Sequence, residues 1–286
     1  MRTDRKRMKN IALYPLFILL CAVIISPVYL AVILPFRSPE EINDVLEPLT
    51  SSDKGFSHIG LFAQYPTIDS FRELLVYTPE FYKVFWNSML IVGGILFFQL
   101  LTGIPSAWAF SRFDFRGKKL LFDLYVIFML LPFQVTMLSQ YIMLDKLSLI
   151  NTRLAVMIPA IFSTFPVFMI YRGFADIPGD IADSARIDGA NEWQVLRHIG
   201  LPLGMPGILA CVVLCFLDLW NMVEQPLAFI KDKKLFPLSL YLPMLDIKNA
   251  DIMLTAAIVT LIPAVFVFII GQDFLEQGII ATALKE

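Results

Sequence analysis

The sequence predicts an all-α integral membrane protein: six transmembrane helices with a polar two-helix loop on the cytoplasmic side. Of 286 residues, 57% are hydrophobic and only 17% charged, whereas soluble domains carry about 25% charged residues. Apolar segments long enough to span a bilayer, which takes ~20 residues, occur at 11–34, 86–110, 120–144, 154–171, 206–230 and 252–272. Between the fourth and fifth lies a polar stretch, "ADSARIDGANEWQVLRHIGLP", residues 182–202. Each span is expected to be helical, because a chain in hydrocarbon must satisfy its own backbone hydrogen bonds.

The first apolar run follows Arg2, Arg5, Lys6, Arg7 and Lys9. It is too long for a signal-peptide core and lacks a small-residue cleavage site, so it reads as a retained helix. Its flanking cations place the N-terminus in the cytoplasm, and six spans return the C-terminus to the same side. The 35–85 loop carries eight acids against four cations and falls outside. It is turn-rich and dotted with aromatics, and reads either as a folded cap or as a docking surface for an external partner. Residues 111–119, "SRFDFRGKK", carry four cations against one acid and fall inside.

The first, second, fourth and sixth spans contain no charge, and the third contains only Asp123, near its end. The segment 231–251 must lie outside despite Lys231, Lys233 and Lys234, against the charge rule but with the weight of the other loops. Prolines at 105, 132, 159, 166 and 263 fall inside spans, and each allows a bend. No internal repeat is visible, and the chain reads as one transmembrane domain, 1–286. A net charge of −2 gives no reason to expect nucleic acid as a partner. Cys21, Cys211 and Cys215 lie in apolar runs, where a thiol usually serves packing, so no metal site is expected.

The 172–205 loop, inside by this topology, holds two short helices. Pro178-Gly179 marks a turn and Asp180 a plausible N-cap for a helix to about Asp188. Ala182, Ser184 and Ala185 are small enough for another backbone to approach, and Ile181 and Ile187 supply apolar contact. Gly189 breaks the helix in the left-handed region. Asn191 caps a second helix with Gln194 in capping-box position, and Trp193, Leu196 and Ile199 share a face by their spacing. Leu201-Pro202 is expected to end it before the fifth span. Acids at 176, 180, 183, 188 and 192 suit anionic lipid poorly; a protein partner fits better.

This stretch resembles the coupling loop of permease subunits of binding-protein-dependent ABC importers: Glu-Ala-Ala, three residues, Gly, nine residues, Ile-x-Leu-Pro. Here it reads Asp183-Ser184-Ala185, Gly189, then Ile199, Leu201 and Pro202, with every spacing kept. Aspartate replaces glutamate and serine the first alanine, so the acid sits on a shorter arm and the small residue stays small. "SARIDGANEW" and "FPVFMIYRGFADIP" are similar to the carbohydrate-uptake, maltose-type branch. So are Phe216, Trp220-Asn221 and Pro226-Leu227, and the tail "GQDFLEQGIIATALKE" with Gly278 and Lys285. The likeness runs from about Trp86 to the end.

The resemblance implies a type I importer permease fold, in the cytoplasmic membrane of a bacterium or archaeon. It further implies ATPase coupling through residues 180–202, with Asp183, Ser184, Ala185, Asp188, Gly189, Trp193, Ile199, Leu201 and Pro202 as coupling residues. The implied partners are an ATPase dimer, a second homologous permease, an extracytoplasmic solute-binding protein and a sugar or oligosaccharide. ATP and Mg would be bound by the ATPase, with no cofactor in this chain. In agreement, the sequence has no G-x4-G-K-[ST], nor H-E-x-x-H or G-x-S-x-G, so no catalytic residue is expected.

Asp218, Trp220, Asn221 and Glu224 cluster in the fifth span. Polar groups there usually face a wet cavity or another helix, since an acid facing lipid costs about 2.5–3.5 kcal/mol. They read as lining a sugar path or as hydrogen-bonding to a second permease. The sequence also admits two other functions. One is an ion-coupled secondary transporter using Asp218 or Glu224, which would call for inverted repeats. The other is a non-transporting scaffold that only recruits a cytoplasmic protein.

Overall fold

A computed structural model of the protein describes residues 2–50, 60, 62–244 and 249–283, with side chains over 14–45, 60, 62–244 and 249–276. Part of the 35–85 loop, Lys285 and the side chains of the N-terminal cations thus lie outside the described residues. Every regular element among them is helical. In chain order these are α1 (Arg2–Ile33), α2 (Pro39–Thr50), α3 (Asp69–Arg72), α4 (Pro79–Arg112), α5 (Lys118–Met129), α6 (Phe133–Lys146) and α7 (Arg153–Ile161). They continue with α8 (Thr164–Ala175), α9 (Gly179–Ile187), α10 (Glu192–Val195), α11 (Leu201–Trp220), α12 (Glu224–Phe229), α13 (Leu238–Tyr241) and α14 (Ala250–Ala283).

Five helical runs among the described residues are long and apolar enough to cross a membrane: Tyr14–Phe36, Pro79–Arg112, Arg153–Ala175, Glu192–Trp220 and Ala250–Glu276. A sixth exists if α5 and α6 are taken together. The apolar window of α1 is buried nowhere, the condition of a helix whose solvent is lipid. Where the sequence reads as one domain, the described residues fall into two compact units: Met1–Phe81 with Met244–Leu261, and Tyr82–Pro243 with Ile262–Glu286.

In the first unit the described part of the 35–85 segment is folded around one buried cation. Arg37, 1% exposed, pairs with Glu41 at 3.0 Å, and its Nη2 donates to the carbonyls of Gly60 and Phe62. Glu41 in turn accepts the Gln64 N–H at 3.2 Å. Ile42 and Val45 on the same helix, with Leu74, are buried. Thr67 N–H donates to Phe36 C=O at 2.8 Å, and the Phe36 and Phe71 rings meet at 5.0 Å. Removing one partner of a buried ion pair costs about 3–5 kcal/mol. Arg37→Met is therefore expected to release the chain around Gly60 and Phe62, seen as faster proteolytic cleavage there than in the parent protein.

In the second unit α8 and α11 touch backbone to backbone. A Cβ on Gly207 would lie 2.8 Å from Gly173 Cα, and one on Gly173 would lie 3.1 Å from Gly207 Cα. Gly204 faces the Phe174 ring on the same seam. Without a hydrophobic drive between helices in lipid, such close approach through small residues is what binds them. The stretch before α13 is fastened to α4: Asn87 donates to the carbonyls of Lys234 (2.8 Å) and Phe236 (3.2 Å). Leu238 N–H donates to Ser88 Oγ at 2.7 Å.

Several sequence expectations are corrected. The third span, expected as one helix over 120–144, is α5 and α6 bent by 100° at a short break. Pro132 starts α6 as its N-cap, and a residue preceding proline is disfavoured in helical conformation. The prolines at 105, 159 and 263 stay inside their helices. Leu201-Pro202 does not end a helix: helical backbone runs from Glu192 to Trp220. A π-helical stretch, Leu196–Gly200, precedes Pro202, which sits in the first turn of α11. There its missing N–H is tolerated, and the widened turn before it gives its ring room.

The fifth span ends at Trp220 rather than 230. A continuing helix would bond the Met222 carbonyl to residue 226, a proline with no N–H. That carbonyl instead accepts the Ser239 hydroxyl at 2.6 Å, and α12 restarts at Glu224. At the start of the docking stretch the N-cap of α9 is Pro178, and Asp180 lies inside the first turn.

Candidate docking segment and membrane cavity

The segment between α8 and α11 is rigid by construction. Gly189 has φ +89°, its N–H donates to Arg186 C=O at 3.0 Å, and Ala190 N–H donates to Ala185 C=O at 3.0 Å. These bonds close the end of α9 as a left-handed cap does. Asn191 and Gln194 form a reciprocal capping box, with N–H bonds of 2.9 and 2.8 Å. Arg186 then ties the two helices together, donating to Asp183 and, at 2.7 Å, to Glu192. Its guanidinium pKa is raised, first by the hydrogen bond to Glu192 and then by Asp183.

Asp183, Ser184, Asp188 and Gly189 are exposed, and Ala185 is half-buried. Ile187 is 87% exposed and Trp193 64%, large apolar groups standing out on a charged surface. Trp193 does not share a face with Leu196, which is buried beside Val195. Ile199 and Leu201 are half-buried, and Pro202 is exposed. The sequence reading missed Arg186; its spacing of three from Asp183 was the available signal.

A cavity of about 980 Å³ in the second unit lies along the C-terminal end of α11 and the residues that follow it. Asp218, Asn221 and Glu224 line it, together with Gln99, Gln225, Phe133 and Phe165. Both Glu224 carboxylate oxygens accept from Gln134 Nε2, at 2.8 Å each. Gln99, 4% exposed, donates to Ala160 C=O at 2.8 Å, and its Oε1 has no partner among the described residues. Trp220 is not part of the lining. It is 4% exposed, stacks on Phe216 at 5.4 Å and meets Phe85 edge-on at 6.2 Å. Gln99 and Gln225, not singled out in the sequence, stand among the lining residues. Amides, carboxylates and aromatic walls together suit a solute with an apolar face and a hydroxyl rim.

Apolar helical runs, a polar-lined cavity and an exposed, internally braced polar segment are the parts of a multi-pass membrane transport subunit. The chain belongs to the family of binding-protein-dependent transport system inner membrane components, which matches residues 99–281. That stretch contains both the docking segment and the cavity-lining end of α11. The chain is 31% identical to the arabinooligosaccharides transport system permease protein AraQ of Halalkalibacterium halodurans, over 77% of this chain and 80% of that one. It is 28% identical to the sn-glycerol-3-phosphate transport system permease protein UgpE of Brucella abortus, over 70% and 73%. Its fold is similar to a chain of a bacterial ABC transporter involved in the import of the acidic polysaccharide alginate, with a TM-score of 0.79 at 18% identity, covering 96% and 98%.

Proposed function

We propose that this chain is one permease subunit of an ATP-driven importer for a sugar or oligosaccharide, forming half of the translocation path. The observation that carries the proposal is the exposed segment 180–202, in which a left-handed glycine, a capping box and Arg186 hold two short helices rigid. A rigid knob carrying Ile187 and Trp193 can transmit a push; a loose loop would absorb it. The force comes from a partner ATPase, which binds the ATP and Mg. A second, homologous permease completes the path, and an extracytoplasmic solute-binding protein delivers the cargo. Both termini lie in the cytoplasm, a placement supported by the N-terminal cations and the basic 111–119 loop. The ion-coupled and scaffold readings find no support in this kinship.

The test is to purify the chain from its native membrane in mild detergent and identify its companions. An ATPase with a second permease is expected; a chain that comes out alone and still transports on an ion gradient would overturn the proposal. Asp218 and Glu224 are assigned to the solute path. Alanine at either is expected to reduce solute-stimulated ATP hydrolysis about tenfold, a change of 1.4 kcal/mol, while the subunits still assemble. Loss of assembly instead would place these carboxylates at the interface with the second permease.

A further inference from the structure

Both ends of the docking segment converge on the last turn of α4. Where the chain approaches α9, Arg112 Nη2 donates to the carbonyls of Phe174 (3.1 Å) and Ile177 (2.7 Å). These belong to the end of α8 and the residues just past it; the Phe174 carbonyl also accepts the Ile177 N–H at 3.3 Å, so Arg112 braces a turn that is already closed. Where the chain leaves the segment, Gly200 lies against the Trp108 indole, so close that an added Cβ would come within 2.6 Å of the ring. Trp108, 3% exposed, also meets the Phe174 ring edge-on at 5.2 Å. The Arg112 guanidinium sits 5.4 Å over the Trp108 ring. Trp108 and Arg112 are four residues apart, so one turn of one helix holds the segment at both of its roots.

The geometry points to Arg112 as a positioning residue: through it, displacement of the docking segment moves α8 and α11 as one body instead of bending the chain at Pro178-Gly179. This rests on the importer reading above. Both carbonyls accept from the one Nη2, whose two N–H groups are fixed in the guanidinium plane; the ammonium of a lysine turns freely on a flexible stem and would hold the same pair with less directional control. The α8–α11 seam at Gly173 and Gly207 is backbone against backbone, so it cannot yield by a side-chain rearrangement. A 20-residue helix such as α11 carries a displacement about 30 Å along its axis, from the Gly200 root to Asp218 and Asn221 at the cavity. Arg112 Nε and Trp108 Nε1 are buried without an acceptor among the described residues.

The experiment uses the whole transporter in liposomes, with native cysteines replaced by alanine and Val223→Cys, at a 38% exposed position on the cavity wall, as reporter. The rate of labelling by a water-soluble maleimide is measured with and without ATP plus vanadate. With Arg112 intact, trapping is expected to change that rate. In Arg112→Ala the change is expected to shrink about fivefold or more, the lower end of ordinary coupling energies, while the ATPase still co-purifies. Arg112→Lys is expected to fall between, and it decides the matter if the alanine variant fails to reach the membrane. A full response in either variant overturns the positioning role. Failure of the unsubstituted chain to bring down an ATPase overturns the importer reading itself.

Discussion

Gly207→Val is expected to break the α8–α11 pair and lower the stability of the purified chain by about 3 kcal/mol or more, at or above the usual cost of overpacking. The added Cβ would sit 2.8 Å from Gly173 Cα, and that atom belongs to a helix backbone with no side-chain freedom to give. Separating the helices forfeits packing that lipid cannot replace, since association in a bilayer relies on close contact. Gly93→Val is the matched control: nothing lies within 4 Å of a Cβ at that position of α4, and valine is no worse than glycine in a helix. Thermal unfolding in detergent checks both. Equal stability in the two variants would show that the glycine seam is incidental.

Gly189→Val is expected to leave insertion and yield unchanged while uptake is lost and ATPase co-purification falls. Space is not the obstacle, because no atom lies within 4 Å of a Cβ here. The obstacle is the backbone itself, φ +89°, a region where a β-branched residue is a genuine outlier. The chain would escape that strain by unwinding the end of α9. The Arg186 link to Glu192 would then lose its geometry, and Ile187 and Trp193 would no longer be held on one rigid knob. Gly189→Asn separates this from any effect of bulk, since asparagine enters the left-handed region readily; most of the uptake should survive. Normal uptake in the valine variant would refute the docking role.

The conformation of segment 180–202 was legible because its signals are local. A glycine that only a left-handed turn requires, and an Asn–Gln pair at capping spacing, are written within a few residues of one another. Trp193 shows the limit. Its spacing from Leu196 puts the two on one face of an ideal helix, yet α10 passes after one turn into a π-helical stretch, and the indole points out. The cavity shows the same division. Asp218, Asn221 and Glu224 line it together, as polar residues in an apolar span have few other places to be. Trp220, two residues from Asp218, is turned into packing with Phe216 and Phe85.

By itself the sequence determined the class: apolar helical spans, the polar segment set between the fourth and fifth, and its kinship. A bilayer tests each span residue by residue, and a helix satisfies its hydrogen bonds from within, so that demand can be read without knowing any neighbour. Tertiary structure decided which prolines interrupt a span, for the fifth also ends ahead of Pro226. Pro132 coincides with a 100° bend while Pro105 and Pro263 do not, although each lacks the same N–H. It also decided that Arg112 and Trp108 meet the roots of the docking segment, and that Gln99 shares a cavity with Glu224. These pairings join residues far apart in the chain. Which faces meet depends on how several helices pack at once, and no local pattern encodes that.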